Sequence, residues 1–296
     1  MILIKCAITL LLVQSTISKP FNDPDTIIFR EENDVDSKEI LSEDDPDEVY
    51  DASLETTNIG LEAGEYFQGD IVITPQLLQA MFTNDTSDDM VTRTGILFDE
   101  YRWPKNYRRE VTVPYVFNNR DYTTNQKNLM KNAMKGIEKY TCIRFVARSW
   151  EKDYIKIKSG DGCSANMGKQ GGEQEVSLAN NGCMSKGIVQ HELIHVLGYD
   201  HMHSHFDRDR YVDIKWENIK PNVKSNFDKV NPRWFGNFGT TYDLYSVMHY
   251  HGKAFSKNGR ETIVPRNRNY ARIMGQRKGL SSGDVKRINN MYKCYQ

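Results

Sequence analysis

The sequence predicts an α+β domain from Thr94 onward. Three observations carry that reading: one amphipathic helical stretch set among short β-patterned runs, a long and less regular half after them, and no internal repeat. The run at 111–117 (VTVPYVF) reads as a strand, and Pro114, which has no amide to donate, places it at a sheet edge. Residues 125–140 set Leu129, Ala133 and Ile137 at i, i+4 and i+8 with Met130 and Met134 beside them, one apolar helical face. Short strands are expected at 143–146, 154–158 and 175–178, with a Gly-rich loop at 160–172.

The 296 residues are 39% hydrophobic, enough for one good core and an appendage. A mean hydropathy of −0.65 excludes a multispan membrane protein. Counts of 20 Gly and 9 Pro exclude collagen-like and low-complexity chains. The net charge of −1 conceals a division. Residues 20–93 hold 20 acidic residues against three basic ones, a net of −17, whereas 94–296 hold 34 basic against 20 acidic, a net of +14. Opposite charges of that size predict two segments that separate or dock on one another.

Residues 1–18 have the layout of a secretory signal peptide: Lys5, an apolar run too short to span a bilayer, then Thr16 and Ser18 at −3 and −1 of the cut. Export and an extracellular location follow as expectations. Cys6 leaves with the signal, and the four remaining cysteines, Cys142, Cys163, Cys183 and Cys294, suggest two disulfides with three pairings open. Residues 20–60 are acidic and aperiodic, and read as a solvated stretch. Aromatic and aliphatic residues return at 64–81. The one sequon is Asn84-Asp85-Thr86, a candidate glycosylation site.

All seven histidines lie between 191 and 251. In His191-Glu192-Leu193-Ile194-His195-Val196-Leu197-Gly198-Tyr199-Asp200-His201, the first two histidines are four apart and share one helical face. Two imidazoles so placed suit one Zn²⁺ at ~2.0–2.1 Å each. Gly198 stands where a helix end needs positive φ, letting the chain reverse and return His201 to the same ion. Three nitrogen ligands leave a corner for water, whose pKa zinc lowers towards ~7, so that Glu192 suffices as general base.

This extended motif, with the later Met-turn Tyr242-Asp243-Leu244-Tyr245-Ser246-Val247-Met248-His249-Tyr250, is the metzincin signature. Together with Arg102-Trp103-Pro104, the run Gly171-Gly172-Glu173-Gln174-Glu175-Val176-Ser177-Leu178, Asp207-Arg208-Asp209, and residues 280–294, it resembles the astacin family of zinc metallopeptidases from about Tyr66 to Cys294. The resemblance implies a two-lobed, metzincin-like α+β domain: a twisted mixed sheet with helices in the N-terminal lobe and an irregular C-terminal lobe with the Met-turn. It implies a metalloendopeptidase that hydrolyses internal bonds of proteins, with Met248 as the apolar floor of the site. Tyr250 becomes an additional zinc ligand that swings away to donate to the oxyanion. Phe67-Gln68-Gly69-Asp70 resembles the family's pro-segment motif, making Asp70 the zinc-blocking switch of a zymogen.

Three segments are expected: the signal peptide (1–18) and, from that resemblance, an acidic pro-segment (19–93) and a peptidase domain (94–296). An activating protease would cut after Arg93 and expose Thr94, nine residues before Trp103. The same likeness pairs Cys163 with Cys183 and Cys142 with Cys294. The expected partners are protein or peptide substrates and the chain's own pro-segment, with neither nucleic acid nor membrane, and a monomer.

Two positions depart from the family pattern. Met202 stands where a Glu usually anchors the freed N-terminus, and His205 where an Arg is common. Met202 cannot accept a hydrogen bond from an ammonium, so the Thr94 amine is expected to matter little here. His203, His205, His249 and His251 lack a ligand spacing of their own and are read as solvated or core-satisfied imidazoles. Arg266, Arg268, Arg272, Arg277 and Lys278 suggest a basic surface. The rival class, a non-catalytic secreted zinc protein, is disfavoured by the intact Glu192.

Overall fold

A computed structural model describes residues 66–75, 77, 95–96, 98–232 and 234–295. The expected signal peptide (1–18) with Cys6, most of the acidic segment, the Asn84 sequon, Arg93 and Thr94 lie outside the described residues. In chain order the regular elements are β1 (Ile71–Val72), β2 (Gly95–Ile96), β3 (Val111–Phe117), α1 (Thr124–Glu138), β4 (Ile143–Ala147), β5 (Tyr154–Lys158), β6 (Cys163–Asn166) and β7 (Glu173–Leu178). Then come α2 (Lys186–Val196), β8 (Val212–Ile214), β9 (Phe235–Gly236), β10 (Ile263–Pro265) and α3 (Ser282–Met291).

A mixed six-stranded sheet runs in the order β1-β6-β7-β5-β3-β4, with β6 antiparallel to β7 and the other pairs parallel. The predicted helix forms as α1. Thr123 and Gln126 close a capping box at its start, and it buries Met130, Ala133, Met134 and Ile137. It packs on β4 and α2, while α2 lies against β6 and β7.

Two expectations are corrected. The strand holding Pro114 is not an edge strand, since β3 pairs with both β4 and β5. Val111 donates to the Cys142 carbonyl, and the Tyr115 carbonyl accepts from Arg148, so these odd residues face β4. Pro114 therefore faces the other flank, where the β5 ladder begins only at Tyr115. Its missing amide falls where no partner strand needs it. Second, the Gly-rich loop contains a strand: β6 is buried along its length, between β7 on one side and β1 of the acidic segment on the other.

The side chains form two apolar clusters. One joins the sheet, α1, α2 and Trp103; the other, around Met202, Phe227, Tyr250, Phe255 and Ile263, belongs to the irregular half. That half holds two-stranded β8–β10 and β2–β9 pairs and short 3₁₀ turns. The last helix, α3, returns to the first cluster through Val285, Ile288, Met291 and Tyr292. Disulfides join Cys142 to Cys294 and Cys163 to Cys183. The first closes a separation of 152 residues, and in the chain-entropy model such a loop contributes about 5 kcal/mol. No helix among the described residues is long and apolar enough to cross a membrane.

Candidate functional site

Helix α2 is buried on every side, which is what positions its polar residues rigidly. Ser185 caps its start by accepting from the Ile188 amide. At its other end two carbonyls left over by the helix are met from afar: Trp103 donates to Val196 and Tyr292 to Leu197, each at 2.9 Å. Gly198 follows at φ +96, and a Cβ there would lie 2.7 Å from Ile96 Cγ2. Only glycine permits this reversal, which brings His201 back beside α2.

The structure brings His191, His195, His201 and Asp70 together, all buried, with one ligand atom from each lying within 4.8 Å of the rest. Nε2 of His191 is 3.2 Å from Nε2 of both His195 and His201. Asp70 Oδ2 stands 3.2 Å from Nε2 of His191 and of His201. Each ring is fixed from behind by a carbonyl that only an N–H can satisfy. Nδ1–H of His191 donates to Val247 O at 2.8 Å, that of His195 to Tyr199 O at 2.7 Å, and that of His201 to Gln68 Oε1 at 2.8 Å. The three Nε2 atoms therefore present lone pairs to one point. Burial holds all three imidazoles below their usual pKa, hence neutral. Three lone pairs and the Asp70 carboxyl group, converging on one buried point, suit a cation. Ligands at about 2.0–2.1 Å from a tetrahedral zinc stand roughly 3.3 Å apart, so the spacing suits that ion.

Glu192 is fully buried, and both its carboxylate oxygens lack a hydrogen-bond partner. Burial raises its pKa well above the usual carboxylate range, and the Asp70 charge adds to the rise. Tyr250 is also buried, its ring stacked at 3.9 Å on His203 and 4.5 Å from His201. Its hydroxyl donates to the backbone carbonyl of Gln68. Met248 is fully buried, and its carbonyl accepts from the Met202 amide. The Met-turn is held by α3: Ser246 Oγ and the Val247 amide donate to Asp284 at 2.6 and 2.9 Å. Val247 in turn accepts from His191, so α3 orients a ring it does not touch.

The remaining histidines find partners in the fold. His203 bonds the Asn226 carbonyl, His205 pairs with Asp207, and His249 lies between the Tyr242 hydroxyl and the Tyr250 carbonyl. Arg277, grouped by sequence with a basic surface, is turned inward. Its Nη1 donates to the carbonyls of His249, Gly275 and Gln276. Arg208 of the Asp-Arg-Asp triplet donates to the carbonyls of His203 and Phe227, tying the loop after His201 to the second cluster.

Sequence reasoning missed the ring-orienting groups. Val247 and Tyr199 act through backbone carbonyls, which carry no side-chain signature. Gln68 lies inside the motif that singled out Asp70, but nothing about one glutamine marks it.

The chain matches the peptidase family described as Astacin over residues 99–293. The Low choriolytic enzyme of Oryzias latipes is 36% identical over 293 residues, covering 99% of each chain. An Astacin-like metalloendopeptidase of Gallus gallus is 39% identical over 272 residues, 91% of this chain but 61% of that protein. Among solved structures, High choriolytic enzyme 1, a hatching enzyme zinc-protease from Oryzias latipes, superposes with a TM-score of 0.64 at 40% identity, covering 68% of this chain and 99% of that one.

Proposed function

Because the chain belongs to the astacin family and is a zinc-dependent metalloendopeptidase, we propose that it is exported through its 1–18 signal as a latent precursor, with 19–93 as pro-segment and 94–296 as the peptidase. His191, His195 and His201 would hold the zinc through Nε2, and Asp70 would block the site until the pro-segment is cut off after Arg93. When bound, the ion supplies Lewis acidity, lowering the pKa of water and polarising the scissile carbonyl.

The chain's own residues do the rest. Glu192 receives the proton of the attacking water as the O–C bond forms, then passes it to the amide nitrogen as the C–N bond breaks. Its carboxylate, dry and unpartnered, is poised for both transfers. The Tyr250 hydroxyl donates to the carbonyl oxygen as charge builds there. In the latent form that donor is spent on the Gln68 carbonyl, so the segment that carries Asp70 also occupies Tyr250. Substrates are extracellular proteins, the activating protease recognises Arg93, the enzyme acts as a monomer, and Asn84 is a glycosylation site of the pro-segment.

One observation carries the reading: three neutral imidazoles and the Asp70 carboxylate converge on one buried point. The test compares secreted full-length chain with chain cut after Arg93, by N-terminal sequencing and casein hydrolysis. Activity is expected only after the cut. Equal hydrolysis by the uncut chain overturns the latency, and a zinc content below one per chain overturns the ligand set.

A further inference from the structure

The three imidazoles differ in who holds them. His191 and His195 donate to the backbone carbonyls of Val247 and Tyr199, which belong to the peptidase segment and stay with it. His201 donates to the side chain of Gln68, 133 residues away in the acidic segment. Its own neighbour, Asp200, is buried and already accepts the His201 amide at 2.6 Å. Asp200 Oδ1 stands 3.9 Å from the same Nδ1, beyond bonding distance, while Oδ2 receives Gln68 Nε2 at 3.4 Å.

Gln68 is thus inserted between two groups that would otherwise meet. An amide serves both at once, since Oε1 accepts from the ring and Nε2 donates to the carboxylate. Its backbone sits at φ +52, a left-handed conformation that is strained for a non-glycine residue. The ring, the carboxylate and Tyr250 compensate by holding it there. Withdrawing Gln68 leaves a buried N–H and a buried carboxylate oxygen without partners, close enough for a side-chain rotation of Asp200 to join them.

We infer that Gln68 and Asp200 are alternative outer partners of His201, Gln68 positioning the ring in the precursor and Asp200 taking it over when the acidic segment leaves. The inference rests on reading that segment as removable. A carboxylate behind a ligating imidazole fixes its tautomer and raises its basicity, and losing such a partner typically weakens metal affinity 10–100-fold.

The test uses the uncut chain, so it does not depend on processing at Arg93. Zinc affinity is measured by chelator competition for wild type, Gln68→Ala, Asp200→Ala and the double variant. Each single change is expected to alter affinity by no more than about threefold, because the other partner remains. The double change should cost roughly 10–100-fold, and Asp200→Asn in the Gln68→Ala background should recover most of it. A double effect equal to the product of the singles overturns the inference, as does an Asp200→Ala loss as large as that of the double. Should the double variant not fold, the Nδ1–H proton resonance of His201 decides. It should move downfield in Gln68→Ala as its acceptor changes from amide to carboxylate, and an unmoved resonance overturns the takeover. Failure of this cycle leaves latency standing, and failure of latency leaves the cycle readable.

Discussion

Asp70 Oδ2 lies 3.2 Å from His191 Nε2 across 121 residues of sequence, a contact that β1 makes possible by adding the acidic segment to the sheet beside β6. The Asp70 carbonyl accepts from the Ala165 amide, so the carboxylate is delivered by a strand rather than by a loose tether. With no proton on either Nε2, the carboxylate holds the site through the cation that the imidazoles would bind, and about 3 kcal/mol for a charged partner corresponds to roughly a hundredfold. Asp70→Ala, with the Arg93 site blocked by substitution, should therefore raise quenched-peptide cleavage by the uncut chain about a hundredfold over the same chain with Asp70. A variant as silent as its parent would show that bulk, not the carboxylate, closes the site.

Glu192→Ala in the processed enzyme should lower kcat by roughly 10²–10⁴ while zinc content stays at wild-type level, because a general base contributes that range and is no ligand. Chelation should abolish the remaining activity of both forms, with recovery on adding zinc. Equal casein hydrolysis by wild type and variant, both holding zinc, would sink the assigned base.

Helix α2 and the reversal after it were legible because their pattern is written in short-range spacing. The four-residue interval of His191 and His195, and a glycine at 198, dictate a face and a reversal whatever surrounds them. The α1 stripe was legible for the same reason. What stayed hidden depends on tertiary pairing: β6 has no apolar run and becomes a strand only between β7 and β1, and Pro114 is tolerated inside the sheet by the offset start of β5. Arg277 reads as surface by residue type, yet three carbonyls draw it in.

Asp243 gives a pH signature of its own. Burial first, then the charge of Asp284, push its pKa up to about 6, against the hydrogen bond from Ser281. The folded state thus holds this proton more tightly than the unfolded chain, whose aspartates titrate near 3.9. Stability contributed by the protonated form is present below about pH 4 and lost as pH rises towards 6, on the order of 3 kcal/mol. Melting temperatures of wild type and Asp243→Asn should diverge across that window, with wild type relatively more stable at pH 4.5 than at pH 7. A constant difference would place the proton elsewhere.

The Cys142–Cys294 bridge fastens the residues after α3 to the chain between α1 and β4. Asn289 adds a hydrogen bond to the Tyr140 carbonyl at 2.9 Å. Replacing both cysteines by serine should cost about 2–5 kcal/mol, read by urea unfolding, and should loosen the Met-turn that α3 pins through Asp284. Unchanged stability would mean that the packing of α3 alone sets its place.

Cutting after Arg93 would create a new N-terminus at Thr94. Its first described residue, Gly95, is threaded into the fold: it pairs with Gly236 and bridges to Tyr199, and a Cβ there would lie 2.6 Å from Phe238. Ile96 donates to the Gly198 carbonyl at 2.8 Å. The backbone of 95–96 is therefore held by the turn that carries His201, independently of any charge at Thr94. Met202, where a carboxylate would receive the ammonium, is instead packed in the second apolar cluster. A processed enzyme extended by two residues ahead of Thr94 should keep turnover within about twofold of the correctly trimmed form, the range of a change that removes no buried contact. Loss of a buried charge-assisted hydrogen bond would show as more than about tenfold. A drop of that size on extension would mean that the amine finds an acceptor other than Met202, and that processing does more than remove Asp70.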